Sequence, residues 1–356
     1  MYAFHAAISI RYWFAIAIDI AIRYRYRSYP ALSIASSDID SDPERTTTPV
    51  AACRAVSFVD RQWNEVAVQN MIHIPDDITE TVGRALAEDV GSGDITGALL
   101  PADLQASAEL ISRESAVLCG IPWFDAVFAQ LCARIETDWA LADGADITAN
   151  QTICRLTGPA APLLTGERTA LNFLQTLSGT ATLAREYANA VRGTGTRILD
   201  TRKTLPGLRT AQKYAVRCGG CHNHRLGLYD GVLIKENHIL AAGSLPTAVR
   251  LARAGNPGIP VEVEVESLEE LRAALASGAD IILLDNLPIE TIKEAVAINA
   301  GQAKLEISGG VERQELWRLA RTGADYISVG SLTKHVRAVD FSLRVTPDRF
   351  PGQPSR

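Results

Sequence analysis

Methionine is nearly missing from this 356-residue chain, which holds only Met1 and Met71. Long apolar runs are missing as well. The most apolar stretch, residues 12–22, is bracketed by Arg11 and Arg23 and broken by Asp19, far short of the roughly 20 residues a membrane-spanning helix needs. It is also a poor signal peptide, because Arg-Tyr repeats follow it rather than a small-residue cleavage site. Cysteine is sparse and scattered, at positions 53, 119, 132, 154, 218 and 221. That excludes the dense disulfide framework of a small secreted domain and favours a reducing compartment, the cytoplasm. A general excess of positive charge is lacking too. The formal net charge is -6, whereas a nucleic-acid binder would more often be basic across a face or domain. What remains is ordinary globular composition, 47% hydrophobic and 21% charged, with enough apolar residues for a sizeable core.

The first seventy residues differ from the rest. They mix the repeat Arg23-Tyr24-Arg25-Tyr26-Arg27 with Ser-, Thr- and Asp-rich stretches. Met71 directly precedes Ile72-His73-Ile74-Pro75, where globular patterning begins. The reading is an atypical extension over 1–70, with the working protein starting at Met71. The alternative is an organellar transit peptide, since the first eighteen residues carry no acid.

From Met71 the chain divides in two. Residues 71–185 mix helices expected at 77–89, 122–132 and 167–191 with strands expected at 110–118 and 151–156, an α+β pattern. The last helix is expected to be interrupted at Ser178-Gly179. After Gly195 the rhythm becomes strand, loop, helix, repeated. Strands are expected at 197–201, 230–235, 261–266, 281–285, 304–308 and 326–330, with helices at 267–277, 289–299 and 313–321. Gly278 and Gly323 close helices just before apolar strands. Such units build a parallel sheet, either a barrel or a doubly wound sheet. Polar residues fall at many strand ends, which suits a barrel whose upper rim is the site. A doubly wound sheet would gather them at one switch point. Six visible strands fall short of eight, so the barrel is expected to be incomplete.

The most telling segment runs from Asp200 to His238. It carries Arg202, Lys203, Arg209, Lys213, Arg217, Arg225 and Lys235 against Asp200, Asp230 and Glu236, and three of the six histidines, His222, His224 and His238. A cationic island in an acidic protein implies a small polyanionic ligand. The strand Val261-Glu262-Val263-Glu264-Val265-Glu266 puts valines on one face and glutamates on the other. In a helix-wrapped barrel the acids point inward, with Lys203, Lys235 and Arg202 as available partners. The turns Ser308-Gly309-Gly310 and Val329-Gly330-Ser331 each follow a strand, and such turns let backbone N–H groups approach a phosphate. Cys218-Gly219-Gly220-Cys221-His222 matches a haem-attachment pattern on paper. Without a second cysteine pair it reads better as a glycine-rich turn that holds two thiols. Arg168 by itself reads as a surface residue.

Together these residues resemble one family, quinolinate phosphoribosyltransferase, also called carboxylating nicotinate-nucleotide pyrophosphorylase. The resemblance rests on residues 88–96, 167–172, 200–204 and 223–227, on Lys235-Glu236-Asn237-His238 and the Glu264 strand, and on Leu284-Asp285-Asn286 and the two glycine turns, all in the family's order. Cys221 departs from it, standing where a third glycine is expected. The resemblance implies an N-terminal α+β sandwich domain (71–185, joined by the tail 342–356). An open, incomplete, seven-stranded α/β barrel (186–341) follows. It implies the joining of quinolinate to phosphoribosyl pyrophosphate (PRPP), giving nicotinate mononucleotide, pyrophosphate and CO2. By the same resemblance, Arg202, His224 and Arg225 hold quinolinate. Arg168 is donated across a homodimer interface, with higher assembly left open. Lys203 and Lys235 meet anionic groups near the reacting centre, beside Thr201. Glu264 and Asp285 address ribose hydroxyls, directly or through Mg2+ that arrives with PRPP. Ser308, Gly309, Gly310, Val329, Gly330 and Ser331 take the 5-phosphate. No metal site made by the protein alone, no nucleic acid and no membrane is implied. The rival readings are a related barrel transferase with another acceptor and a silent anion-binding barrel.

Overall fold

The computed structural model describes residues 72–347; the extension over 1–70, the Met71 start and the tail beyond 347 lie outside it. Helix α1 (Ile78–Val90) buries Thr81, Val82 and Leu86, one stripe at helical spacing. Strand β1 (Gln105–Ser112) turns Ala106, Ala108 and Leu110 inward and Gln105, Ser107 and Glu109 outward. Then come β2 (Ala116–Val117), α2 (Ile121–Leu131), β3 (Glu136–Trp139), β4 (Asp146–Ile147), β5 (Thr152–Pro159) and the long α3 (Ala160–Ala190). The second half runs through β6 (Arg197–Leu199), α4 (Arg209–Gly219), β7 (Val232–Ile234), α5 (Glu236–Ala242) and α6 (Leu245–Gly255). It continues through β8 (Val261–Val265), α7 (Leu268–Ala276), β9 (Ile281–Asp285), α8 (Ile289–Asn299) and β10 (Lys304–Ser308). It ends with α9 (Leu316–Ala320), β11 (Tyr326–Ser328), α10 (Ser331–Lys334) and β12 (Phe341–Pro347).

Two main sheets result. The first is antiparallel in the order β12-β1-β5-β3, so the late strand β12 completes a sheet begun more than two hundred residues earlier. Its core holds Trp123, Phe124 and Phe128 of α2. Phe124 meets both Phe128 and Trp139 edge-on at centroid distances of 5.1 Å. The second sheet is parallel in the order β6-β11-β10-β9-β8-β7, with helices between successive strands. A single parallel bridge joins Leu199 to His222 on the free side of β6. Val261, Val263 and Val265 of β8 are fully buried beneath the helices, which turns Glu262 and Glu264 to the other side. Each such valine contributes about 1.5–3 kcal/mol by leaving water.

The structure revises several expectations. The strand at 110–118 is two pieces, β1 and β2, and β1 starts at Gln105. Helix α3 begins at Ala160 and runs 31 residues without a break at Ser178-Gly179. Those two residues are small because neighbours come close. The Ser178 hydroxyl donates to the Cys119 carbonyl and accepts from the Cys119 N–H. A Cβ on Gly179 would lie 2.0 Å from the Arg337 carbonyl oxygen. The stretch at 313–321 starts as a 3-10 turn, Arg313–Glu315, before α9. Helices α4, α5 and α6 lie outside the helical stretches read from sequence, so Arg209, Lys213 and Arg217 of the cationic island belong to one helix. Cys218 lies in the last turn of α4, and Gly220 (φ 97°) caps it. Cys221 follows, its thiol donating to the Ala184 carbonyl and pushed up to about 12 by burial.

Candidate active site

The carboxyl ends of the parallel strands open into a cleft of about 1070 Å³. Past β6, Thr201, Arg202 and Lys203 enter it; past β7, Lys235; from β8 and β9, Glu264 and Asp285. The turn after β10 supplies Ser308, Gly309 and Gly310, and that after β11 supplies Val329, Gly330 and Ser331. His224 and Arg225 come from the loop between α4 and β7. Fourteen of the fifteen residues singled out from sequence therefore share one cleft. Arg168, exposed on α3, does not line it.

The cleft is cationic at one end. Burial, and then the nearby Arg202 guanidinium, lower the Arg225 guanidinium below its usual range. Among the described residues, the Arg225 guanidinium donates only to the Gly231 carbonyl, at 3.0 Å. The buried Nε of Arg202 has no partner among the described residues. Two guanidinium groups that crowd each other, one with an unused buried donor, form a receptor for an anion. A buried donor left unpaired costs about 1–3 kcal/mol.

The middle of the cleft is acidic. The Lys235 ammonium donates to the Glu264 carboxylate, and Asn286 Nδ2 donates to Asp285 Oδ2 at 2.8 Å. Only Lys235, of the three cations proposed as partners for the β8 acids, makes such a pair. Glu266 lies beyond the strand end and is exposed. Glu262 is buried and takes a different partner, His224 Nε2, at 2.9 Å. His224 Nδ1 accepts the Arg225 backbone N–H at 2.8 Å, so the ring proton is assigned to Nε2. Glu306 Oε2 lies 3.6 Å from the same nitrogen. Burial, then the Glu262 charge, push the Glu306 carboxyl up to about 8. Burial of the His224 ring opposes its protonation, but the bond to Glu262 and the two carboxylates outweigh that and raise it. The ligand atoms of His224, Glu262 and Glu306 lie within 4.8 Å of one another, close enough for the charge of one group to act on the next.

At the other end the backbone itself comes forward. Gly309 sits at φ 90°, and a Cβ there would lie 2.1 Å from Asn286 Oδ1. Gly330 faces the Lys203 side chain, where a Cβ would meet Cδ at 2.9 Å. Ser331 shares a 3.2 Å hydrogen bond with the Tyr187 hydroxyl.

Sequence reasoning passed over Glu306, Lys334, His335 and Tyr187, all of which line the cleft. For Glu306 a signal existed, an acid between Leu305 and Ile307 in an apolar strand. For Lys334 and His335 it was their place one helical turn after Gly330-Ser331. Tyr187 gave none, because it arrives from the far end of α3.

Comparison with known proteins gives a consistent result. Residues 94–178 match the model of the quinolinate phosphoribosyl transferase N-terminal domain, and residues 180–344 that of its C-terminal domain. The nicotinate-nucleotide pyrophosphorylase [carboxylating] of Mycobacterium leprae is 45% identical over 273 residues, covering 74% of this chain and 95% of that protein. The probable enzyme of the same name from Bacillus subtilis is 41% identical over 260 residues, covering 73% and 90%. The solved nicotinate-nucleotide pyrophosphorylase of Francisella tularensis superposes with a TM-score of 0.75 at 46% identity, covering 77% of this chain and 98% of its own.

Proposed function

The chain belongs to the quinolinate phosphoribosyltransferase family, and from that premise we propose how its cleft performs the family's reaction. It is a pentosyltransferase that moves the phosphoribosyl group of PRPP to quinolinate with decarboxylation, a step of de novo NAD biosynthesis. The observation that carries the site reading is the crowded, unneutralised pair Arg202 and Arg225 beside His224. Quinolinate is a planar dicarboxylate, the shape that guanidinium forks grip in pairs. Arg202, Arg225 and His224 are assigned to it, with Arg168 reaching in from a second copy of the chain. The exposure of Arg168 and its absence from its own cleft support that assignment.

Lys203 and Lys235, with Thr201, are assigned to the anionic groups around the ribose C1 and the departing pyrophosphate. Glu264 and Asp285 lie between the cationic end and the glycine turns. Positive charge develops at C1 as pyrophosphate leaves, and carboxylates held there favour it electrostatically. Mg2+ enters with PRPP. Carboxylate oxygens at the ends of neighbouring strands are the donors a hard cation takes, so Glu264 and Asp285 are the residues that would hold it beside the ribose hydroxyls. The 5-phosphate is assigned to the turns at 308–310 and 329–331, where glycine brings N–H groups forward. Once the N-glycosidic bond has formed, the pyridinium nitrogen stabilises the electron pair that the adjacent carboxylate leaves on the ring carbon as it departs as CO2. That carbon then takes a proton from water. No covalent nucleophile is required.

The segment at His222 is assigned as the seventh stave of an open barrel, supported by its parallel bridge to β6. The boundary between the two domains is assigned near 185, within α3, and the tail is joined to the first by the β12–β1 pairing. A reducing cytoplasm suits the five free cysteines among the described residues. No described helix is long and apolar enough to cross a membrane.

The test is formation of nicotinate mononucleotide from quinolinate and PRPP, paired with calorimetric titration of quinolinate into Arg225→Ala. Loss of one charged partner in a shielded site should weaken binding by about 2–5 kcal/mol. Unchanged affinity in a folded variant would remove Arg225 from the quinolinate site.

A further inference from the structure

His224 and Arg225 stand on a loop without regular structure, between α4 and β7. What holds that loop is a buried ion pair beneath it. Lys213 of α4 is 3% exposed and Asp200, just past β6, is 0% exposed. Lys213 Nζ donates to Asp200 Oδ1 at 2.5 Å and to the His224 carbonyl at 2.8 Å. The same Asp200 Oδ1 accepts the His224 backbone N–H at 2.9 Å. Its other oxygen accepts Asn223 Nδ2 at 2.6 Å, and that amide also donates to the Lys213 carbonyl at 2.9 Å. Both polar groups of one residue, N–H and C=O, are thus held by opposite members of one charge pair.

We propose that Asp200 and Lys213 are positioning residues for the acid-binding arm of the site, fixing the His224 peptide so that the His224 ring and the Arg225 guanidinium meet the substrate's carboxylates. The inference rests on the reading of His224 and Arg225 as quinolinate ligands. Apolar packing could hold a loop at lower desolvation cost, because a buried pair gives up the hydration of two ions. Burial works against both charges here, raising the Asp200 carboxyl and lowering the Lys213 ammonium. A charge pair does, however, supply directional bonds of both polarities to a single peptide, which apolar side chains cannot. A neighbouring device secures the rest of the loop, since Asp230 accepts the Leu226 and Gly227 N–H groups. Neither Asp200 nor Lys213 lines the cleft itself. Their effect must pass through the loop and fall on one substrate.

The experiment compares initial rates of the full-length enzyme and of Lys213→Met with each substrate varied in turn, alongside thermal denaturation. Loss of a charge-assisted hydrogen bond to the loop should raise the KM for quinolinate by about ten- to hundredfold. The KM for PRPP should change by less than about threefold, because the glycine turns and Glu264 are untouched. If Lys213→Met does not fold, the double variant Asp200→Asn/Lys213→Met, which leaves no unpaired buried charge, is held to the same criterion. An unchanged quinolinate KM, or equal rises in both KM values, overturns the proposal while the functional reading stands. Wild-type protein that forms no nicotinate mononucleotide removes the reading, and the proposal with it.

Discussion

Glu306 shows at the residue scale what the barrel interior costs. Its carboxyl is pushed from 4.5 to about 8, first by burial and then by Glu262. The folded state therefore holds a proton that the unfolded chain has lost. Stability from this group is complete below about pH 4.5 and falls as pH rises toward about 8, by an amount on the order of a few kcal/mol. Glu306→Gln mimics the protonated form and should flatten that slope, so the melting temperature of wild type should fall more between pH 5 and pH 8 than that of the variant. Identical slopes would show that the proton resides elsewhere. Gly309 gives a second case. Alanine there takes on about 1–2 kcal/mol of backbone strain and drives a methyl into the Asn286 side chain. Gly309→Ala should raise the KM for PRPP, and an unaltered value would detach the turn from the phosphate. Most of the cleft was legible in the sequence because charges and glycines at strand ends need only local pattern to be noticed. Glu262 and Glu306 were not paired with His224 in advance. Which acid meets which cation across a barrel depends on strand register, which no single strand reveals.

At the scale of elements, α3 ties the two sheets together, and Gly179 lies in its middle. Alanine would favour the helix by about 1 kcal/mol. It would also place a Cβ 2.0 Å from the Arg337 carbonyl oxygen, and overpacking of that kind costs about 1–3 kcal/mol. The clash should win, so Gly179→Ala is expected to lower the melting temperature; a rise would mean that the segment at 337–338 gives way freely. The helix was foreseen and its continuity was not, because Ser178-Gly179 has the composition of a break while the reasons for it, Cys119 and Arg337, lie far away in sequence. Strands β8 to β11 were the easiest to read, β9 as a short apolar run and β8 and β10 as strict alternation of apolar with polar residues. Helix α4 was masked by its charge. Arg209, Lys213 and Arg217 follow a four-residue period, and only the structure shows that Lys213 is turned inward to Asp200.

At the scale of the whole molecule, donation of Arg168 by a second copy predicts complementation. Arg168→Ala and Lys203→Ala should each be nearly inactive. In a mixed two-fold dimer one site carries both defects and the other none. Random exchange of equal amounts should restore roughly a quarter of wild-type activity. Co-expression followed by assay, with mixed dimers verified by mass, measures it, and no recovery would return Arg168 to the surface role its sequence context suggests. The pairing of β12 with β1 bears on something else, the order of events during synthesis. Arg113 finds its partner Ser342 only after 229 further residues. At a translation speed of about 5–20 residues per second, β1 waits on the order of ten seconds or more with one edge open while the barrel half is still being made. An unpaired edge is a template for the wrong strand. Nascent chains on crowded ribosomes should therefore be most prone to association before residue 347 emerges, and β12 acts as a latch that closes only after the barrel half has been made.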